Sequence, residues 1–132
     1  MSTQASVVTG VDFVSVATRD LDAMRAFYGD VLGLPCSSVW GRDDPVGAEF
    51  ETGTVTIALL HSERLGIPFQ PTSHPIALRV DDVAAARAEL QSRGVEFGET
   101  IDSGVCHMAH FRDPDGNVLM LHHRYAPLPA RP

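Results

Sequence analysis

What the chain lacks narrows its function first. It has two cysteines in 132 residues, Cys36 and Cys106, with no C-x-x-C spacing between them. That leaves no disulfide framework and no cysteine metal or redox pair, and both thiols are expected to be reduced and buried. Basic residues are few, 10 against 17 acidic, for a net charge of −7. No Lys/Arg cluster stands out, so no nucleic-acid partner is expected. An acidic surface suits a cationic ligand, but more often it simply keeps a protein soluble. No apolar run approaches the ~20 residues of a membrane helix. The polar N-terminus carries no signal-peptide pattern, and the expectation is a cytoplasmic protein with no membrane partner. Also missing are a G-x-S-x-G elbow, a phosphate loop and paired carboxylates at a useful spacing. What is present, 44% apolar and 20% charged residues, fits one domain spanning 1–132 with a real core.

The most informative stretch is Cys106 to His123, CHMAHFRDPDGNVLMLHH. Asp113-Pro114-Asp115-Gly116-Asn117 is turn chemistry: Pro presets φ, Gly accepts positive φ, and Asp and Asn bond nearby backbone. The flanks, Val105–Phe111 and Val118–His122, read as the two strands of a hairpin. Pairing about the turn sets His110 opposite Met120 and Met108 opposite His122. The two histidines then become diagonal neighbours, ~7–8 Å apart at Cα.

Upstream, residues 1–9 read as a frayed start. Val11–Thr18 alternates as a strand, with Val14 and Val16 on one face and Phe13, Ser15 and Ala17 on the other. Asp20 then caps a helix whose stripe is Leu21, Met24, Phe27, Tyr28, Val31 and Leu32. Gly33 and Pro35 end it. Strands are predicted around Cys36–Trp40, Gly47–Glu51 and Thr54–Leu60. His61 to Ser73 has Gly66, Pro68 and Pro71 and no periodicity, so 62–73 reads as a linker. The pattern then restarts: a strand over Pro75–Val80, a helix capped by Asp81 or Asp82 with Val83, Ala86 and Leu90 inside, and a stop at Gly94. Strands near Val95–Gly98, Val105–Phe111 and Val118–His122 complete it. The tail, 125–132, should be extended or loose.

The restart is an internal repeat. Asp20 and Asp82, and likewise Arg25 and Arg87, lie 62 residues apart. Val14 matches Ile76, Val16 matches Leu78, and Thr18 matches Val80. The predicted fold is α+β, with βαβββ modules over 10–61 and 74–124. A helix covers one face of each sheet; two such sheets face to face would enclose a cavity fit for a small molecule.

With these residues in view, the chain resembles the vicinal oxygen chelate superfamily of glyoxalases, bleomycin-resistance proteins and extradiol dioxygenases. The resemblance rests on Asp20-Leu21, Ala26-Phe27-Tyr28, Val31-Leu32-Gly33, Val80-Asp81-Asp82-Val83 and Phe111-Arg112-Asp113-Pro114-Asp115-Gly116-Asn117. Together with the repeat it covers roughly residues 10–124. It implies the glyoxalase-type fold and, for chains of this length, a homodimer. It does not imply one activity, because this fold hosts many.

The resemblance also implies four metal-ligand positions, at the first and last strand of each module. Carried over by position, they fall on Phe13, Ala58, Pro75 and Met120. None of these is a donor for the hard or borderline divalent ions involved, so neither metal nor cofactor is expected. The floor of the site would be greasy instead. Ser15, Cys106 and Met108 share its faces, and Trp40 supplies either an aromatic wall or cover for a subunit contact. Met and aromatic residues are more often packing than recognition, but no helix covers the concave side of this fold.

The resemblance implies that the residue three before the turn's first Asp, His110, points into the site, and if Met120 does so too, alternation sends His122 the same way. Three roles are open to them: half-buried structural histidines, an acid/base pair, or an unusual metal site with His74 or His107 added. His107 should face away from His110, toward the helix side. His61 and His123 read as rim or surface residues. Two functional hypotheses lead: a metal-independent binder of a small hydrophobic or aromatic molecule, and a metal-free lyase or isomerase using His110 and His122. A metalloenzyme with relocated ligands is the third.

Overall fold

The computed structural model describes residues 5–129. Sheet A takes β1 (Phe13–Thr18), β2 (Cys36–Trp40), β3 (Gly47–Glu51) and β4 (Thr56–His61) in the order β1-β4-β3-β2. Sheet B repeats the plan with β5 (Ile76–Arg79), β6 (Ile101–Asp102), β7 (Cys106–Arg112) and β8 (Val118–Arg124) in the order β5-β8-β7-β6. In each sheet the first strand runs parallel to the last, and the other pairs are antiparallel. A parallel pair needs a crossover; α1 (Leu21–Ala26) lies on the path from β1, and α2 (Val83–Ser92) on the path from β5. Asp20 and Asp82 both act as caps, their carboxylates accepting from the Ala23 and Ala85 amides. This leaves one orphan N–H fewer at each helix start.

The first helix is shorter than its apolar stripe predicts. After Ala26 the chain opens into a π-helical turn, Phe27–Val31, in which the Leu32 amide donates to the Phe27 carbonyl at 2.9 Å. The wider turn sets Phe27 against Phe111 and Tyr28 against Phe50. The strand expected over Val95–Gly98 does not form. Buried Val95 and half-buried Phe97 anchor that segment by their side chains, and only the Gly98 amide reaches β7, at the His110 carbonyl. The fourth strand of sheet B is the two-residue β6 further on. The supposed linker holds a 3-10 turn at Ser62–Leu65. It is also stitched to the 113–117 turn, where the Asn117 side chain accepts from the Thr72 amide and Val118 N–H donates to Thr72 O.

One core joins the two modules. Val16, Met24, Tyr28, Phe50, Ile57 and Leu59 from the first pack in one cluster with Val83, Leu90, Phe111, Leu119 and Leu121 from the second. The helix-bearing faces of both sheets therefore meet in the middle of the molecule. Polar bonds close one seam between them: Tyr28 Oη donates to Asp113 Oδ2 at 2.8 Å, Asn117 Nδ2 to the Ala17 carbonyl at 2.9 Å, and Thr18 Oγ1 to Asp115. Within one chain, then, the concave faces do not enclose a shared cavity. The core holds the opposite faces together, so the concave ones are turned outward.

Candidate functional site

The candidate residues divide between these two outward faces. On sheet A, Ser15 sits beside Ala58 and Phe13 beside Thr56, in register across β1 and β4. Ala58 is buried under its neighbours, whereas Phe13 is 52% exposed, a large ring left without cover. Trp40 lies at the far corner, at the end of β2. Its indole lies over Gly47, where a Cβ would come within 2.5 Å of the ring. On sheet B, His110 pairs with Met120, Met108 with His122 and Cys106 with Arg124. Strand alternation puts all six on one face, with Ala77 and Arg79 of β5 alongside Met120 and His122. Pro75 immediately precedes β5. His110, His122, Met108 and Met120 are half-buried, and Cys106 is buried. A shallow depression of about 640 Å³ borders this region, with Phe27, Phe97, Phe111 and Arg112 in its wall and His110 at its edge.

The structure thus gathers Phe13, Ser15 and Ala58 on one sheet and Cys106, Met108, His110, Met120 and His122 on the other. It does not bring the two groups together within the chain. Sequence reasoning passed over the charged residues between them. Glu49 pairs with Ala58 and Glu51 with Thr56, so both carboxylates stand on the open face of sheet A. Ser37 and Thr56 donate to Glu51, which holds its pKa below the usual carboxylate value. On sheet B, Arg79, Arg112 and Arg124 share the histidine face. The signal was present, since Phe50 and Leu78 point inward and their strand neighbours must point out.

The other histidines and one cysteine need correction. His61 and His123 are half-buried on the inward faces rather than at the surface. His123 Nδ1 lies 3.1 Å from the Val80 carbonyl, which places its proton on Nδ1. His61 Nδ1 is buried without a partner among the described residues. Cys36 is exposed, not buried, because it begins the edge strand β2. His107 does face away from His110. It lies 3.4 Å from Asp102 and stacks on Tyr125, whose hydroxyl donates to the same carboxylate. His74 is exposed in the loop before Pro75.

The four positions implied as metal ligands hold an aromatic ring, a methyl, a proline and a thioether. Among the described residues, no three of His, Cys, Asp or Glu converge as an ion would require. The donor set does not fit the metal used elsewhere on this scaffold. A model of one family spans residues 10–121 of the chain, that of the glyoxalase/bleomycin resistance protein/dioxygenase superfamily. The chain belongs to that superfamily.

Solved structures agree in fold. TnmS3, an antibiotic binding protein from Streptomyces sp. CB03234, is 24% identical with a TM-score of 0.77, over 91% of this chain and 99% of that one. A glyoxalase/bleomycin resistance protein from the same source is 26% identical, with a TM-score of 0.71 over 87% and 100%. Lactoylglutathione lyase from Agrobacterium tumefaciens is 20% identical, with a TM-score of 0.69 over 87% and 93%. A binding protein and a lyase on one architecture illustrate why fold alone does not choose between activities. No curated protein matches the chain.

Proposed function

We propose that this superfamily member is a metal-independent binding protein for a small hydrophobic or aromatic organic molecule. The observation that carries this is the chemistry of Phe13, Ala58, Pro75 and Met120, which replaces a set of charged donors by apolar surface. The ligand would lie between the open face of sheet A in one copy and the open face of sheet B in a second. A homodimer of that kind is supported by charge. Glu49 and Glu51 stand on one face and Arg79, Arg112, Arg124 and the two histidines on the other, so a two-fold pairing opposes acid to base twice. It would also cover Phe13. The name of TnmS3 as an antibiotic binding protein favours the same reading.

A second reading, a metal-free lyase or isomerase, is favoured by the shared face of His110 and His122, diagonal to one another across β7 and β8. A neutral imidazole there can accept a proton and its protonated neighbour return one. The test begins with metal analysis of protein purified without an affinity tag, where less than one ion per chain is expected. Compounds that raise the melting temperature are then incubated with the protein and the mixture is analysed by mass spectrometry. Unchanged compound supports the binder. Turnover lost in His110→Ala or His122→Ala with binding retained establishes the enzyme instead, and one tightly held ion per chain sinks both.

A further inference from the structure

The two modules are repeats in backbone but not in bulk. In α1 and the turn after it, the inward positions are Leu21, Met24 and Tyr28, all buried, with Met24 and Tyr28 fully so. The positions 62 residues later in α2 are Val83, Ala86 and Leu90. A methyl thus stands where the first helix has a thioether chain, and an isobutyl group where it has a phenol ring. The facing turns differ in the same sense. Asp113 and Asn117 bind across the first seam to Tyr28 and Ala17. At the second seam the matching turn runs from Thr52 to Val55, since Glu51–Thr56 and Arg112–Val118 are the last pairs of the two hairpins, and the Thr52 hydroxyl is spent inside that turn on the Val55 carbonyl.

The consequence is a pocket of about 920 Å³ at the second seam, walled by Val14, Ile57, Ile76, Leu78, Ala86 and Leu90. The Glu89–Arg93 ion pair, 2.6 Å apart, belongs to its rim. Its volume lies within the ~300–1,000 Å³ of small-molecule sites, and its lining is mostly aliphatic with Thr52, Thr54 and Arg79 among it, the mix of apolar wall and few polar groups that such sites have. The pocket lies on the inward side of Leu78 and Leu121 and reaches round the edge strand β5 to Ala77 and Arg79, while none of Met108, His110, Met120 and His122 lines it. The first seam shows what fills this geometry: a flat ring with one hydroxyl, supplied there by Tyr28.

We infer that the second seam is a binding site for an uncharged aromatic molecule of one or two rings. The guest replaces the side-chain volume that α2 lacks, and its ring lies over Leu78 and Leu121 as the ring of Tyr28 lies near Phe50. The site does not depend on the open faces binding anything.

The probe is 2-naphthol, titrated into the full-length, methyl-labelled protein and followed by NMR. Saturable shifts are expected at the methyls of Ile57, Ile76, Leu78 and Leu90, with Met108 and Met120 unmoved. Ala86→Met and Leu90→Tyr restore the first repeat's side chains. Each is expected to weaken 2-naphthol about ten-fold or more without lowering the melting temperature, as guest and side chain compete for one space. Absence of saturable binding to the wild type overturns the inference, including the case where a second copy already fills the pocket. Shifts centred on Met108 and Met120 overturn it too. Should the larger substitutions prevent folding, Ala86→Leu decides: affinity equal to wild type refutes the site, and weakened affinity supports it.

Discussion

The hydroxyl of Tyr28 offers the sharpest test of how the modules are joined. It is the donor of a 2.8 Å bond to Asp113, a buried carboxylate that also accepts from the amides of Asp115 and Asn117 and from the Asn117 side chain. Tyr28→Phe keeps the ring, and with it the contacts to Phe27 and Phe50. What it removes is one hydrogen bond to a charged acceptor, worth about 1.5–3 kcal/mol. Burial pushes the Asp113 carboxyl up, against the pull of Tyr28, Asn117 and Asp115. A carboxyl raised by folding favours the native state most below its unfolded pKa, and that support is lost as pH rises through the folded value. Deleting the Tyr28 donor removes an interaction that favours the ionised form, so the carboxyl rises further. The penalty is therefore largest at pH 7. Below about pH 4, where Asp113 is protonated in both states, it falls to the ~0.5–1.5 kcal/mol of a neutral bond. Urea titrations of both proteins at the two pH values measure this. A loss under about 0.5 kcal/mol at pH 7, or the same loss at both pH values, refutes the assignment.

Other expectations follow from single contacts. Asn117→Ala removes, from a fully buried site, the bonds to the Ala17 carbonyl, the Thr72 amide and Asp113. It should cost about 2–4 kcal/mol by urea unfolding, and a cost under 1 would deny the turn its stitching role. Gly47→Ala drives a Cβ to 2.5 Å from the Trp40 ring and 2.9 Å from the Leu59 carbonyl. About 1–3 kcal/mol of destabilisation is expected, together with altered fluorescence of the sole tryptophan; an unchanged spectrum would place Trp40 elsewhere. Glu49→Arg puts a cation on the acidic face, and the proposed dimer should dissociate about ten-fold more readily in sedimentation. A dimer insensitive to this change does not use that face.

The sequence alone determined the local frame. Asp20 and Asp82 announced both helices, the turn from Asp113 to Asn117 set the β7–β8 register, and the repeat gave two equivalent modules. These features depend on residues close in the chain, where spacing and turn geometry decide. Alternation also groups Phe13 with Ser15, His110 with Met108, and Met120 with His122 on common strand faces, while the family resemblance is what points those faces toward a site. Periodicity was less able to see a π turn that keeps the residues on the apolar stripe, or a segment at 95–98 held by side chains instead of a ladder. Only the tertiary structure decided which faces of the two sheets meet. Each sheet has two sides with apolar residues on both, and alternation is blind to which side finds the other module. Long-range bonds such as Tyr28 to Asp113 and Asn117 to Ala17 settle it, and they turn the candidate site outward. Likewise the pocket behind Leu78 arises from a difference in bulk between helices 62 residues apart, a packing mismatch that has meaning only once their seams exist.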